Sequence, residues 1–334
     1  MATSSTLREL WDTTRMRLLV EIERQGSVSA AAAAIGIGQP SASQHLRLLE
    51  AAAGQRLVER TGRGSRLTGA GHVLAARAAQ ALASLGAAEE ELGAIAGLQT
   101  GTIHLGASTA PGVYLLPDTL GCFRRSYPGV TVEVEVAASA EILKRLLGGR
   151  LQLALVGAAH TDERIELEPF LEDEVVGVAQ PRLLPLRNGA LAPKRLSEFM
   201  LLAREHGSSS QQVIDEELRT IGVSPAGFWE LGSSEAIKRA AREGLGVAFL
   251  SRYAVAEEVE RGDLESFRLA GRPPLRRHFS VARLSGRPFS PAERSFVETL
   301  TSCCAKQADY AEACVGVPKR GRRAGSSTAR PTRG

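Results

Sequence analysis

The chain has 334 residues, and 41 Lys and Arg against 37 Asp and Glu give it a formal net charge of +4. That length fits roughly two domains. Because 43% of the residues are hydrophobic, the chain can fill a core, which excludes wholesale disorder. No apolar run approaches the roughly 18 residues that a membrane-spanning helix needs, so we expect no membrane partner. The first residues contain no apolar segment typical of a secretory signal, so the expected location is the cytoplasm.

Cysteine and histidine are sparse and scattered along the chain. The four cysteines form no CxxC pair, and two of them, Cys303 and Cys304, are adjacent. The six histidines show no metal-ligand spacing. The sequence therefore predicts no disulfide framework, no metal site and no cofactor.

Composition divides the chain into four segments. Residues 1–67 form short amphipathic runs, residues 68–97 are rich in Ala, Leu and Glu, and residues 102–310 alternate strand-like and helix-like runs. Residues 315–334 are rich in Gly, Arg, Ser, Thr and Pro, which predicts a disordered basic tail, either merely solvated or an auxiliary DNA contact. This tail holds six basic residues and no acidic one, so the rest of the chain has 35 basic against 37 acidic residues. The net charge of the whole chain therefore says little about its binding partner, and local clusters of charged residues are the better indicator.

Three short helices are predicted in the first segment. The first covers Arg15–Arg24 and stops at Gly26, and the second covers Val28–Ile35 with Ser27 as its N-cap. The third opens at Gln39, with a proline in its first turn, where the missing N–H costs nothing. Apolar residues on this helix are spaced to face inward: Ala42, Leu46 and Leu49. Two helices joined by a tight glycine turn form a helix-turn-helix layout.

The outer face of the third helix carries side chains that suit DNA. They are Gln39, Ser41, Ser43, Gln44 and Arg47. Gln can hydrogen-bond an adenine edge in two places, and Ser can reach bases or phosphates. The alternative is a small helical bundle whose polar face is merely solvated.

The end of the first segment predicts a β-hairpin. Gln55–Arg66 contains two β-type stretches around Gly62-Arg63-Gly64. This stretch contains four arginines and one acidic residue, Glu59. The arginines are Arg56, Arg60, Arg63 and Arg66. Arginines on a hairpin beside a helix-turn-helix suit phosphate or minor-groove contacts, which favours double-stranded DNA as the partner.

Residues 17–71 resemble the N-terminal domain of LysR-type transcriptional regulators. The resemblance rests on the run GSVSAAAAAIGIGQPSASQHLRLLEAAAGQRLVERTGRGSRLTGAG. It implies a winged helix-turn-helix whose recognition helix begins near Gln39 and enters the major groove. The residues expected to contact DNA are Ser29, Gln39, Pro40, Ser41, Ser43, Gln44, Arg47, Arg60, Arg63 and Arg66. The family commonly has Ser in place of Gly38, Arg in place of Gln44 and Thr-Arg in place of Ser29-Ala30, so base preference does not transfer.

The second segment has a heptad repeat. Apolar residues recur at spacings of four and three: Leu74, Ala78, Ala81, Leu85, Ala88, Leu92 and Ile95. The repeat predicts a helix that pairs with a second copy of the chain, and a helix packed on its own domain is the alternative. The family resemblance implies dimerisation through this helix, hence a homodimer or homotetramer. A dimer reads an inverted-repeat operator with half-sites about one helical turn, or a multiple of it, apart.

The third segment predicts a parallel α/β sheet. Strands are expected at Thr102–Ala107, Val130–Val136, Leu151–Gly157, Glu174–Gln180, Phe199–Ala203, Phe228–Leu231, Val247–Leu250 and Arg276–Leu284. Helices are expected at Leu115–Tyr127, Ala140–Gly148, Ser209–Ile221, Ser234–Glu243 and Pro291–Cys304. Two subdomains, residues 102–173 with 276–310 and residues 174–275, are then joined by two crossovers and leave a cleft between them.

Small hydroxyl residues follow several of these strands. They are Ser108, Thr109, Ser139, Ser208, Ser209, Ser210, Ser233 and Ser234. In open α/β sheets, ligands bind beyond the carboxyl ends of the strands, at helix N-termini. We therefore predict a site for an anion or small polar acid, lined by Ser108, Thr109, Ser139 and Ser208–Ser210. The alternative is that these residues are ordinary N-caps.

Residues 101–304 are similar to the effector-binding domain of the same regulators. The similarity rests on YLLP at 114–117, LGSSEAIKRAAREGLGVAFLSR at 231–252 and GDL at 262–264. It implies a periplasmic-binding-protein-like domain that senses a small-molecule effector and alters transcription of target genes. On this basis Ser108, Thr109 and Ser208–Ser210 are the leading candidates for effector contact.

Two other classes of protein fit the sequence less well. An enzyme lacks support because no GxSxG, intact GxGxxG or GxxxxGK(S/T) motif occurs, so we predict no catalytic residue. A solute-binding protein would share the fold of the third segment, but the missing secretory signal and the N-terminal DNA-binding module argue against it. The effector, the operator and the sign of regulation cannot be read from the sequence.

Overall fold

The computed structural model describes residues 11–61, 64–95, 101–157, 162–205 and 207–315. Arg63 of the predicted hairpin turn and residues 316–334 of the predicted tail lie outside this set. Val315, predicted to lie in the tail, is instead the last residue of a helix, because its side chain is buried against the core.

Three helices and a hairpin form the N-terminal unit: α1 Thr13–Gln25, α2 Val28–Ala34, α3 Gln39–Ala53, β1 Val58–Thr61 and β2 Gly64–Leu67. They confirm the predicted helices and hairpin. Asp12 caps α1 and Ser27 caps α2, each by accepting a hydrogen bond from the N–H three residues further on. Gly26 ends α1 in the left-handed conformation that glycine adopts without strain.

The core of this unit is small and aliphatic. Leu19 and Ile22 of α1 form one buried cluster with Ala31 of α2 and with Ala42 and Leu49 of α3. Because the alanines add only a methyl group each, the helices can approach closely. The apolar side of α3 is buried in this cluster, so its polar side faces outward.

The hairpin is fixed to the helices at two points. Glu50 of α3 accepts hydrogen bonds from the N–H groups of Leu57, at 2.8 Å, and Val58, at 3.2 Å. The N–H of Ser65 in β2 donates to the carbonyl oxygen of Gly26 at 2.8 Å. The hairpin therefore holds a defined position beside α3.

Gly64 lies where a side chain cannot fit. Its φ is +151°, and a Cβ atom there would lie 2.5 Å from the Gly26 carbonyl oxygen. Gly64→Ala is therefore expected to destabilise the protein by about 1–3 kcal/mol, measured by urea denaturation followed by circular dichroism. Gly69→Ala is the control, because open space surrounds that glycine, and it should be neutral. Equal stabilities for the two variants would contradict a tight anchor at Gly64.

A long helix, α4, covers Gly69–Ile95. Its first half packs against α1, and Ala75 and Ala78 are buried there. Leu85 and Leu92, two residues of the predicted heptad repeat, are 49% and 68% exposed. The chain thus covers the first half of the apolar stripe itself and leaves these two leucines open, while pairing with a second copy stays a prediction.

The remaining described residues form a mixed α/β domain. Its strands are β3 Gly101–Ser108, β4 Val130–Ala137, β5 Leu153–Val156, β6 Ile165–Ala179, β7 Ala190–Leu191, β8 Met200–Ala203, β9 Gly227–Glu230, β10 Ala248–Ser251, β11 Glu265–Leu269 and β12 Leu275–Leu284. Its α-helices are α5 Leu116–Ser126, α6 Ser139–Leu147, α7 Ser209–Ile221, α8 Ser234–Arg242, α9 Arg252–Glu260 and α10 Pro291–Val315. A π-helical turn, Pro111–Leu115, precedes α5, and a 3₁₀ helix, Pro193–Glu198, precedes β8.

The main sheet has the strand order β4-β3-β5-β12-β6-β11-β7, and β10 also pairs with β6. β3 runs parallel to β4 and β5, whereas β12 runs antiparallel to β5 and β6. β10 and β11 are antiparallel to β6, and β8 pairs with β9 in parallel. The predicted parallel α/β sheet is therefore corrected in part: β3 pairs in parallel with its neighbours, but the whole sheet is mixed, because the two long strands that connect its halves run in opposite directions.

These two crossover strands, β6 and β12, pair from Val175 and Leu275 to Ile165 and Leu284, with a register shift after Phe279. The half with β3, β4, β5, α5, α6 and α10 is named lobe I. The half with β7 to β11 and α7 to α9 is named lobe II. The predicted architecture of two α/β subdomains joined by two crossovers is confirmed.

Several elements extend beyond the sequence prediction. β6 begins at Ile165 instead of Glu174, because its first half is acid-rich and partly exposed and so lacks an apolar strand pattern. α10 continues past Cys304, because Ala311 and Val315 are buried against the core. α9 and β11 have no counterpart in the prediction. Among the described helices, none combines the length and apolar character needed to cross a membrane.

Candidate functional site

The first candidate site is the outer face of α3. Its exposed or half-buried side chains are Gln39, Pro40, Ser41, Ser43, Gln44 and Arg47. Ser29 is exposed on α2. Gly38, the N-cap residue of α3, has no side chain to bond the first turn. The backbone N–H groups of that turn are therefore available to a phosphate, which a helix N-terminus attracts.

The hairpin adds arginines beside α3. Arg56 and Arg60 are exposed. Arg66 is also exposed, but its Nε donates to a carboxylate oxygen of Glu59, which lies directly opposite on β1. Glu59 therefore neutralises part of the charge of Arg66, while the Nη groups of Arg66 keep N–H donors that a phosphate can accept from.

The second candidate site is a narrow cavity of about 10 Å³ between the lobes, room for about one water molecule while the cleft is closed. It is lined by the six hydroxyl residues predicted for the anion site: Ser108, Thr109, Ser139, Ser208, Ser209 and Ser210. Arg204, Glu205 and Arg277 also line it. The residues converge because β3 and β8 end at the cleft, while α6 and α7 begin there.

Helix capping accounts for only part of these hydroxyl groups. Ser233 is an ordinary N-cap, since its Oγ accepts a hydrogen bond from the N–H of Ala236 at 3.1 Å. Ser208 is the N-cap residue of α7, yet its side chain makes no capping bond. Ser139 is the first residue of α6 and not its N-cap. The capping alternative therefore explains Ser233 but neither Ser208 nor Ser139.

Arg204, which directly follows β8, connects several groups in the cavity. Its side chain is 4% exposed. Its Nη1 donates to Ser234 Oγ at 2.6 Å, and its Nη2 donates to Thr109 Oγ1 at 3.1 Å. Glu205 accepts from Nε at 2.8 Å and from Nη2 at 2.6 Å. Burial raises the pKa of Glu205, but the hydrogen bonds from Arg204 and from a backbone N–H outweigh it, so the pKa lies below its usual value.

Arg277 brings a second positive charge to the cavity from the crossover strand β12. Its Nη1 donates to Ser209 Oγ at 2.7 Å, and its Nε donates to Asp173 Oδ2 at 2.8 Å. Asp173 is fully buried and also accepts a hydrogen bond from Ser251 Oγ at 2.8 Å. Burial raises the pKa of Asp173, while Arg277 and Ser251 oppose that shift by stabilising its charged form.

Hydrogen bonds join the two lobes across the cleft. Ser139 Oγ donates to Ser209 Oγ at 3.4 Å, and Arg204 reaches Thr109 as described above. Further out, the Tyr114 hydroxyl donates to Glu235 Oε1 at 2.8 Å. Burial and this bond raise the pKa of Tyr114, so the hydroxyl keeps the proton it donates. The cleft is therefore closed, and groups that could hold a ligand are bonded to one another.

The sequence prediction missed Arg204, Glu205 and Arg277. The first two follow β8 directly, so the rule that selected the serines, polar residues after a strand, would also have found them. Arg277 gives no such signal, because it lies inside a strand and reaches the cavity only through the pairing of β12 with β6.

Other chemistry has little support in the described part of the chain. There, no group of three or more His, Cys, Asp or Glu side chains could hold a metal ion. Burial raises the pKa of the Cys304 thiol to about 12, so that thiol stays protonated and unreactive at neutral pH.

A winged helix-turn-helix joined by a long helix to a two-lobed sensing domain defines the class of ligand-responsive DNA-binding regulators. Residues 13–72 match the family of bacterial regulatory helix-turn-helix proteins, lysR family. Residues 96–305 match the LysR substrate binding domain. The chain belongs to the LysR family of transcriptional regulators.

Three similar proteins illustrate this relationship. The probable RuBisCO transcriptional regulator of Cyanophora paradoxa is 32% identical over 293 residues, which cover 86% of this chain and 90% of that one. The regulatory domain of CcmR from Synechocystis PCC6803, solved in complex with 2-PG, is 27% identical with a TM-score of 0.56, covering 61% of this chain and 97% of that one. A full-length OxyR variant from Pseudomonas aeruginosa shares the fold, with a TM-score of 0.70 at 20% identity, covering 88% of this chain and 98% of that one.

Family membership decides the class of function. The protein is a transcriptional regulator that binds DNA and senses a small-molecule effector. The enzyme and solute-binding alternatives are thereby set aside.

Proposed function

We propose that the cavity between the lobes is the effector site and that the effector is a small anion. The hydroxyl groups of Ser108, Thr109, Ser139 and Ser208–Ser210 supply hydrogen bonds, and Arg204 and Arg277 supply positive charge. The observation that carries the proposal is the convergence of these residues on one cavity.

The chemistry of the lining favours an anion over a neutral ligand. α6 and α7 begin at the cavity, and the N-cap side chain of α7 leaves the N–H groups of the first turn without a capping bond. Such helix ends carry partial positive charge and bind oxyanions. Arg204 is balanced by Glu205 and Arg277 by Asp173, so hydrogen-bond donors and helix dipoles, more than net charge, hold the ligand.

The CcmR regulatory domain supports this choice of ligand class. It was solved in complex with 2-PG, and this chain covers 97% of its length at 27% identity. We therefore propose 2-PG as the first effector to test.

On the DNA side, we propose that α3 lies in the major groove. Gln39, Ser41, Ser43 and Gln44 read base edges, while Arg47, Arg60, Arg63 and Arg66 contact phosphates, and Ser29 and Pro40 lie beside them. Pairing of two chains through α4 then makes the operator an inverted repeat, with half-sites about one helical turn or a multiple of it apart.

These assignments divide the chain by role. We propose a DNA-binding domain within residues 1–67, a dimerisation helix within 68–97 and an effector-binding domain within 102–310. Because its partner is DNA, we place the protein in the cytoplasm.

The proposed mechanism couples the two sites through the cleft. An effector changes the population of closed and open lobes only if it binds one state better than the other. The bonds from Arg204 to Thr109 and from Ser139 to Ser209 exist in the closed state, so an effector must exchange or reinforce them. The change in lobe position then alters the spacing of the two α3 helices in a dimer.

Ser108→Ala is expected to weaken binding of 2-PG about tenfold, because a hydrogen bond to a charged group contributes about 1.5 kcal/mol. Isothermal titration calorimetry on the full chain measures the change. Ser302→Ala, at an exposed serine of α10, is the matched control and should bind like the unmodified protein. Equal affinities for all three proteins would mean that the anion binds outside this cavity.

A further inference from the structure

Glu205 already holds the edge of Arg204 that an anionic ligand would use. Its two carboxylate oxygens accept from Nε at 2.8 Å and from Nη2 at 2.6 Å, in a two-point contact. Guanidinium groups bind carboxylate and phosphate ligands in the same two-point manner. The carboxylate of Glu205 therefore has the position and the chemistry of a ligand group.

The other bonds of Arg204 do not compete with this edge. Nη1 donates to Ser234, and Nη2 also donates to Thr109. These bonds orient the guanidinium in the closed cleft whether Glu205 or an external anion is bound to Nε and Nη2. Exchange of one oxyanion for another can therefore occur without moving Arg204.

The two buried arginines of the cavity differ in how firmly their partners are held. Asp173, the partner of Arg277, is fully buried and is also bonded by Ser251, so it cannot leave without exposing a charge to the core. The side chain of Glu205 is 26% exposed, so part of its surface is in contact with solvent even while the cleft is closed. Glu205 can therefore swing into water, where its charge is solvated at little cost.

We propose that Glu205 is an intramolecular competitor of the effector, which a carboxylate or phosphate group displaces from Arg204 on binding. This inference rests on the proposed anion site in the cleft. It makes Glu205 a determinant of affinity, and so of the effector concentration at which the regulator responds. It also makes Glu205 a determinant of specificity, because a ligand without an oxyanion cannot replace a two-point carboxylate contact.

Glu205→Gln is expected to bind 2-PG and inorganic phosphate about tenfold more tightly than the unmodified chain, equal to about 1.4 kcal/mol. The variant loses the charge that holds Arg204. Glu205→Asp keeps the negative charge but is one methylene shorter, so it cannot keep both contacts, and it should also bind more tightly. Isothermal titration on the full chain measures all three affinities, and thermal denaturation checks the folding of each protein. Glu198→Gln, at a surface carboxylate paired with Arg195, is the control and should bind like the unmodified chain.

The outcomes separate the inference from the proposed function. If Glu205→Gln binds more tightly but Glu205→Asp does not, the effect is charge repulsion through space, and competition is wrong. If neither variant binds more tightly while Ser108→Ala still weakens binding, the cleft binds anions but Glu205 only supports Arg204, and competition is again wrong. If none of these proteins binds an anion, the proposed function fails together with the inference. Tightening in both variants supports competition.

Discussion

Asp173→Ala is expected to destabilise the protein by about 3–5 kcal/mol, because it leaves the charge of Arg277 buried without its partner. Asp173 accepts hydrogen bonds from Arg277 on β12 and from Ser251 at the end of β10. Removing the carboxylate therefore leaves a guanidinium and a hydroxyl without their acceptor at the point where the crossover strands pair. Urea denaturation followed by circular dichroism measures the loss.

Two further variants test the reason for that loss. Glu198→Ala breaks a two-point ion pair with Arg195 on the surface, where such a pair contributes at most about 1 kcal/mol. Asp173→Leu combined with Arg277→Met removes both buried charges and should recover most of the stability. A loss for Asp173→Ala no larger than that for Glu198→Ala would contradict the importance of the buried pair.

Leu85→Lys combined with Leu92→Lys is expected to prevent the proposed pairing of two chains and to weaken operator binding about a hundredfold or more. Both leucines are exposed on α4 at heptad spacing, and a lysine at either position would bring an ammonium group into an apolar contact between helices. In a dimer, binding of one DNA-binding domain holds the second close to its half-site at a high effective concentration. This raises the affinity for the operator by about 10² to 10⁴, and separate chains lose it. Sedimentation velocity measures the mass, and fluorescence anisotropy measures affinity for a DNA fragment selected by the unmodified protein.

Ser84→Lys is the matched control for this double variant. It adds one lysine, half the charge that the double variant adds, at an exposed position of α4 that is not in the heptad repeat. It should keep the dimer and retain operator affinity. If the double leucine variant keeps the unmodified mass and affinity as well, α4 packs only on its own chain, and the alternative interpretation of the heptad repeat is correct.

The N-terminal unit shows why local signals were sufficient there. Ser27 bonds the N–H three residues on, Gly26 adopts a left-handed conformation, and the proline at position 40 falls in the first turn of α3. Each of these features depends on residues within one turn of the chain. The helix boundaries could therefore be predicted to within about two residues without knowledge of the fold.

Predicting the residues of the cleft required a rule about sheet topology in addition to the sequence pattern. Hydroxyl residues after predicted strands were expected to meet, because the carboxyl ends of parallel strands share one edge of a sheet. β3 does run parallel to β4 and β5, and the predicted serines and threonine do line one cavity.

The rule also covers Arg204 and Glu205, which directly follow β8, but the pair of Arg277 and Asp173 could not be predicted in this way. Arg277 lies opposite Asp173 because β12 pairs antiparallel with β6 in one particular register. These residues are 104 positions apart in the chain. A shift of one residue in that register would turn Arg277 to the other face of the sheet, and no local pattern specifies it.

The sequence by itself was sufficient to predict the helix-turn-helix, the arginine-rich hairpin, the apolar stripe of α4 and the family. Each of these depends on the spacing of residues that are close in the chain or on one continuous run of residues. Only the tertiary structure decided that the sheet is mixed, that buried arginines with carboxylate partners join the hydroxyl residues, and that the cleft is closed by bonds between the lobes. Those features depend on strand register, burial and contacts between distant segments, which exist only once the chain has folded.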